Sequence, residues 1–501
     1  MCRRKCVNTC SVVSSVCACA ELDGCGWCSH GGINGRGSCA PYPECSTTCG
    51  ECDQTCSSYK YCKSKCYNRF RPHVVKPLDE GLFPLDKSDT RTVVAVFLAT
   101  VFASAAGIGG GAVLVPLFTL IGDYTEHEAI PLGLATVFGA SLFSTFGTFL
   151  WLKHPRVPHR PMIAYDVVQV LLPATLLGTT VGVFLNKLSP NWLIMVLLVL
   201  LCAIMGFRTL DKARKTYAKE SDAYETVPSD SNAYDLQQSE ALLQKDERAN
   251  MPCAALEMEI AQESTCCKWS TIFSLVQTWL IVLGLALLKG GHGANSLLNV
   301  TCGSIGYWAV VGLNIPVLAI LTMISARSTL AAHRHREEIG YQYAEGDVIW
   351  DASKAVRLPL LVCVGAITAG MLGVGGGMIL GPIFTELGFL PEVSSATSTI
   401  MVLFMSSATV AQFIIFGMID MEYALFFGCV GGVLGAIVGT KGARVILQRT
   451  GRASIIVFCL AFILLGSGLL MLYTGFVQLR VSGLTGFRPM CGRAGVAAKI
   501  D

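Results

Sequence analysis

The sequence predicts an all-α, multi-pass membrane protein with two homologous halves, each containing a Gly-broken helix, preceded by a small disulfide-rich N-terminal segment. Three observations support this fold class. Of the 501 residues, 52% are hydrophobic and only 15% are charged, whereas a soluble domain has about 25% charged residues. Long apolar runs are separated by charged loops. One Gly-rich motif occurs twice, which indicates duplication.

The Cys-rich head, residues 1–66, holds 14 of the 23 cysteines. A dense, even-numbered cysteine cluster indicates a disulfide framework in an oxidising compartment, and we predict an extracytoplasmic head. The candidate disulfide cysteines are Cys25, Cys28, Cys39, Cys45, Cys49, Cys52 and Cys56. C-x-x-C pairs can also bind zinc, but His30 lies near no second well-spaced pair. The run at 23–28 (DGCGWC) resembles the plexin-semaphorin-integrin type of module.

No apolar signal-peptide core follows Met1, so either the start lies further upstream or the first membrane segment drives translocation of the head. A linker at 67–91 leads to ten apolar segments. Most are long enough for a membrane helix, which takes about 20 residues. The segments lie at about 92–121, 129–152, 165–186, 191–208, 271–288, 304–325, 357–385, 393–416, 421–440 and 453–476.

The internal repeat pairs residues 107–118 (GIGGGAVLVPLF) with residues 373–384 (GVGGGMILGPIF), and seven of the 12 positions are identical. Ser141 and Ser407 lie at the same 266-residue offset. A weaker similarity pairs LGTTVG at 177–182 with LGAIVG at 434–439. We therefore predict two transmembrane repeats, at 92–208 and 357–476, which are joined by bridging helices at 271–325.

Glycines inside an apolar segment interrupt a helix and free backbone N–H groups, which lipid cannot satisfy. Such N–H groups at the start of a half-helix can bind an anion, and paired broken helices are typical of transporter sites. The alternative is close helix packing through the G-x-x-x-G spacing. The predicted substrate-binding residues are Gly107, Gly109, Gly110, Gly111, Pro116, Ser141, Gly373, Gly375, Gly376, Gly377, Pro382, Ser406 and Ser407.

Loop charge predicts the topology, because Lys and Arg mark cytoplasmic loops. The basic loops are 153–161, 209–270, 326–356 and 441–452. All four face the cytoplasm only if the two Gly-broken segments are re-entrant hairpins and the second half is inverted. In this arrangement 209–270 is a disordered cytoplasmic loop and 326–356 is a second one. The tail at 477–501 is loose, and Asn299, a glycosylation candidate, faces outward.

The sequence contains no G-x-S-x-G, H-E-x-x-H or P-loop motif. We therefore predict no enzyme activity and no cofactor, and a net charge of +3 gives no reason to expect nucleic acid. The centres of the apolar segments contain no Asp, Glu, Lys or Arg, so a carboxylate proton relay is not expected. We interpret the HRHR run at 333–336 as a positive-inside element rather than a metal site. Lys289 and His292 flank an outer Gly-rich loop and could attract anions, but we interpret them as solvated loop charges.

Several motifs resemble the eukaryotic form of the sulfite exporter TauE/SafE family. They are the two GGG motifs, KHP at 153–155 with Arg160-Pro161, Tyr307-Trp308, Asn314-x-Pro316, VSSAT at 393–397 and GRAS at 451–454. The resemblance implies transport of a small sulfur-containing anion, such as sulfite or an organosulfonate, in a plasma or internal membrane. The alternative is a non-transporting receptor or scaffold, in which the head and the acidic loop bind protein partners.

Overall fold

A computed structural model describes the chain in two units, residues 1–76 and 77–501. The described residues are 25–29, 37–41, 87–105, 110–122, 124–150, 152–154, 157, 160–225, 269–291, 296–297, 302–339, 341, 343, 348–419, 421–450, 454–482 and 486–487. In the first unit, β1 (Cys25–Ser29) pairs antiparallel with β2 (Gly37–Pro41). The remaining disulfide candidates and Asn299 lie outside the described residues.

The regular elements of the second unit are all helices in its described part, apart from one isolated β-bridge between Lys153 and Pro161. Its helices are α1 (Lys87–Ala105), α2 (Gly111–Leu120), α3 (Glu126–Phe143), α4 (Tyr165–Leu188), α5 (Asn191–Glu225), α6 (Trp269–Lys289), α7 (Ile305–Glu338), α8 (Ala352–Leu372), α9 (Gly377–Glu386), α10 (Pro391–Ile415), α11 (Met421–Phe426), α12 (Gly435–Thr450) and α13 (Ser454–Ser482). A π-helical segment, Ser144–Phe149, extends α3, and another, Phe427–Leu434, joins α11 to α12. The helices α2 and α9 are offset by the same 266 residues as the two Gly-rich motifs.

Eight helical segments in the described part are long and apolar enough to cross a membrane. The bridging helix α7 shows why a lipid environment is required, because only 11% of its most apolar window is buried within the protein. Its surface presents Trp308, Ile315 and Ile320, each more than half exposed. Soluble proteins rarely expose large apolar side chains in an extended patch of this kind. The chain is therefore a multi-pass integral membrane protein.

The helices α2 and α9 have 10 residues each, about 15 Å of helix at 1.5 Å per residue, which is half of a hydrocarbon core of about 30 Å. Each forms a hairpin with the helix before it. Tyr124, just after α2, donates a hydrogen bond to Asp89 in the first turn of α1 (3.3 Å). Trp350, just before α8, and Phe389, just after α9, line the same cavity.

The two hairpins enter the bundle from opposite ends. Tyr165, at the start of α4, lines the cavity with Trp350 and Phe389, and we call this the cavity end. His127, in the first turn of α3, lies 3.4 Å (Nδ1 to Oδ1) from Asn186 near the end of α4, so the α1–α2 hairpin enters from the other end. The second half is therefore inverted relative to the first.

The first helix of each half packs on the other half. A Cβ atom on Gly178 or Gly182 of α4 would lie 2.3 Å or 2.4 Å from a backbone oxygen of α8, on Cys363 or Ile367. A Cβ on Gly439 of α12 would lie 2.4 Å from the Val101 oxygen of α1. The weaker sequence similarity thus marks the two equivalent helix crossings, where only glycine allows this approach.

Three predicted boundaries were wrong, because helices extend beyond their apolar segments. The helix α5 continues to Glu225, inside the loop predicted to be disordered, and α7 continues to Glu338. The helix α13 reaches Ser482, inside the predicted loose tail. Tertiary contacts hold the polar extension of α5, since Glu220 accepts hydrogen bonds from the Ser454 backbone N–H (3.1 Å) and the Ser454 hydroxyl at the start of α13.

Candidate functional site

Both Gly-rich motifs interrupt a helix in the described structure. In the second motif, Gly373 (φ 71°) ends α8 and Gly375 (φ 60°) follows it before α9 begins at Gly377. In the first motif, Gly110 (φ 64°) precedes α2. Positive φ is a conformation that glycine adopts readily and other residues rarely do. Gly107 and Gly109 lie outside the described residues.

The two interruptions meet inside the protein. A Cβ atom on Gly111, the first residue of α2, would lie 2.1 Å from the Val374 carbonyl oxygen and 2.9 Å from the Gly375 nitrogen. The chain segments that start the two half-helices are therefore in backbone contact. The first N–H groups of each half-helix have no partner within that helix. The structure thus combines the broken helices with the close packing that G-x-x-x-G spacing also predicts.

The predicted serines contribute to helix packing in this conformation. The hydroxyls of Ser141, Ser406 and Ser407 each donate to a carbonyl three or four residues earlier on the same helix. Ser407 also accepts from Trp279 Nε1 (2.8 Å), which links α10 to α6. Pro116 is buried within α2, and Pro382 lies within α9. The structure therefore does not gather the serines around an open site.

A cavity of about 110 Å³ opens at the cavity end, away from these glycines. Its basic and acidic lining residues are His154, Arg160, Asp166, His333 and Arg336. The Arg336 guanidinium donates to Asp166 (3.1 Å). Arg160 and Arg336 both stack on the ring of Tyr341, 5.3 and 5.6 Å from its centroid.

His333 connects the end of α7 to the chain before α8. Its Nε2 accepts the Trp350 backbone N–H (3.1 Å), so its other ring nitrogen, Nδ1, carries the proton that reaches the Tyr343 hydroxyl (2.9 Å). The ring is buried. Part of the HRHR run therefore shapes the cavity wall.

The sequence did not predict two features, the polar cavity and the burial of Lys289. The cavity is lined by α4, α7, α10 and the segments before α4, α8 and α10, and the sequence signal for it was basic charge beside apolar segments. Lys289 was expected to be solvated, but its side chain is only 3% exposed. His292 lies outside the described residues. The sequence could not reveal that burial, because Lys289 is covered by residues distant along the chain.

Two inverted halves, each with a half-length helix entering from its own end, define a multi-pass membrane protein of the secondary-transporter type. Comparison with known proteins gives the same answer. A family model described as "Sulfite exporter TauE/SafE" matches residues 92–251 and 272–476. The chain belongs to this family.

The curated relatives match most of the chain. Sulfite exporter TauE/SafE family protein 3 of Arabidopsis thaliana is 30% identical over 392 residues, which cover 76% of this chain and 78% of the relative. Family protein 1 of the same plant is 27% identical over 403 residues, which cover 80% and 86% respectively. No solved structure gives a significant match.

Proposed function

We propose that this protein moves small sulfur oxyanions, such as sulfite or an organosulfonate, across a membrane and binds them where the two Gly-rich breaks meet. The observation that supports this most directly is the contact between Gly111 and the Val374 carbonyl. It brings together two inverted half-helices whose N-termini carry partial positive charge. The names of the curated relatives support sulfite as the first substrate to test.

The basic cavity serves this function as a vestibule. Arg160 and Arg336 give it two cationic groups against the single carboxylate of Asp166, and such a lining raises the local concentration of anions. Positive charge at this end also favours its cytoplasmic placement. Cys302, which follows α6 at the opposite end, is disulfide-bonded, and that is the chemistry of an oxidising compartment.

Proton movement in this mechanism is carried by the substrate or is absent. A carboxylate relay would need an acidic side chain in the middle of a span, and the span centres contain none. Backbone N–H groups and hydroxyls are neutral donors, so they can hold an anion without taking up its proton.

The test is flux of a sulfur-oxyanion panel into proteoliposomes that contain the full chain. Gly111→Ala places a methyl group against a backbone oxygen, so we expect flux to fall at least about tenfold, a loss of about 1.4 kcal/mol. Gly381→Ala in α9 is the matched control, because no atom lies within 4 Å of its added Cβ. Absence of wild-type flux for every sulfur oxyanion would contradict the proposal.

A further inference from the structure

A buried lysine lies at the end of the bundle opposite the cavity. Lys289, the last residue of α6, places its Nζ 4.0 Å from the ring centroid of Phe184 and 4.4 Å from that of Phe416. Lys187 places its Nζ 4.3 Å from the same Phe416 ring. Two ammonium groups therefore share one aromatic side chain, and we call Lys187, Lys289, Phe184 and Phe416 the lysine cluster.

The charge of this cluster is not balanced by the described protein. Neither lysine has a hydrogen-bond or ion-pair partner in the part of the chain that the structure describes. Aromatic faces stabilise a cation only partly, and a buried charge is costly unless it is paired. Two nearby like charges add repulsion. A small anion between the ammonium groups would remove both costs.

From the lysine cluster toward the bundle interior, the next residues lie on α4 and at the end of α10. Phe184 and Phe416 meet edge to face, with centroids 5.4 Å apart. One turn deeper, Gln412 on α10 donates to the Thr180 hydroxyl on α4 (3.2 Å). The other Gln412 amide atom, Oε1, is buried without a partner among the described residues. The order toward the interior is thus a cationic layer, then the two aromatic rings, and then the polar pair of Thr180 and Gln412.

We propose that Lys289 and Lys187 form an oxyanion-binding site at this end, closed toward the interior by the Phe184–Phe416 pair. The half-buried Lys187 meets the anion first, and the buried Lys289 holds it. The inference rests on the proposed function only in taking the ligand to be the transported anion. The site itself is defined by its uncompensated charge and by its aromatic floor.

Anion binding is tested on the purified full chain without any transport step. The midpoint of thermal unfolding is measured in sodium sulfite and sodium sulfate, with sodium chloride at equal ionic strength as reference. We expect the oxyanions to raise the midpoint of the wild type. Lys289→Met keeps most of the side-chain volume but removes the charge. It should unfold at the same or a higher temperature without anion and lose the oxyanion shift, with the apparent Kd weakened at least about tenfold.

Two further variants define the site. Lys187→Gln should weaken the apparent Kd less than Lys289→Met, because Lys187 is only half buried. Lys441→Met removes an exposed lysine on α12 and should leave the oxyanion shift unchanged. If Lys289→Met unfolds at a lower temperature and keeps the full oxyanion shift, Lys289 is structural and the inference is wrong.

Flux measurements separate this inference from the proposed function. Flux in the wild type, together with an oxyanion shift that Lys289→Met leaves unchanged, would overturn the lysine site and leave the transport proposal standing. An oxyanion shift that depends on Lys289 in a protein without sulfur-oxyanion flux would support the site and contradict the transport proposal.

Discussion

The cavity end and the lysine cluster hold cationic side chains in opposite ways. At the cavity end, Arg336 is paired with Asp166 and stacks on Tyr341. In the lysine cluster, the Nζ atom of Lys289 lies against two aromatic rings, and the described residues supply it with no carboxylate. One region carries its own counter-charge, whereas the other needs one.

This difference assigns the two regions different tasks. A compensated and open cavity attracts an anion weakly and releases it easily, as a vestibule requires. The lysine cluster, in which Lys289 is buried and Lys187 half-buried, holds an anion more tightly, because the surrounding protein screens the attraction less than water does. Variants that change the charge balance or the contacts at one end test this division of tasks.

Phe184→Glu should give the largest effect, because it supplies the lysine cluster with an internal carboxylate. The ring it replaces lies 4.0 Å from Lys289 Nζ, so the new carboxylate can pair with the ammonium and compete with the anion. We expect sulfite flux at least about tenfold below that of Phe184→Gln, the neutral variant of equal size. Equal flux in the two variants would show that charge at this position is irrelevant.

His333→Leu should destabilise the wall of the cavity. It leaves the Trp350 N–H and the Tyr343 hydroxyl without their present partner, and an unsatisfied buried polar group costs about 1–3 kcal/mol. Chemical denaturation of the detergent-purified protein measures the loss. His335→Leu is the matched control on the exposed face of α7. A similar loss of stability in both variants would argue against the specific role of His333.

Asp166→Asn should free Arg336 and make the vestibule resemble the lysine cluster. The ion pair is partly exposed, with side-chain exposures of 11% for Arg336 and 40% for Asp166, so its loss should cost no more than about 1 kcal/mol of stability. The apparent KM for sulfite presented at the cavity end should decrease. Arg336→Gln should raise it, and a change in the same direction for both variants would contradict the vestibule role.

Tyr124→Phe should give the smallest effect on transport, because the hydrogen bond that it removes, to the Asp89 carboxylate, lies outside both the cavity and the lysine cluster. A hydrogen bond to a charged group is worth about 1.5–3 kcal/mol of stability. Burial and then the Asp89 charge raise the pKa of Tyr124 above its ordinary value of 10.0. The folded protein therefore holds this proton more tightly, and the associated stability is complete below pH 10.0 and is lost at higher pH. Denaturation at rising alkaline pH should show a shallower loss in Tyr124→Phe than in wild type.

The sequence alone was sufficient to predict the elements that depend on local composition. Apolar segments and duplicated glycines predicted the helices, the interrupted segments and the family. The predicted end of α5 was wrong, because Glu220 forms a hydrogen bond with Ser454 on α13. This contact joins residues that are distant in sequence. The substrate-binding role of the glycines stays a prediction. The lysine cluster could not be foreseen, because Phe184 and Phe416 come from different halves and approach Lys289 only after folding.

The packing of the first helix of each half on the other half has a consequence for biosynthesis. The helix α1 leaves the ribosome long before α12, the partner on which its Val101 carbonyl packs against Gly439. Neither half can therefore be inserted as a finished unit. A chain that stops after α7 lacks α8 beside α4 and α12 beside α1, so quality control would meet two uncovered packing surfaces at once: the Gly178–Gly182 face of α4 and the Val101 face of α1.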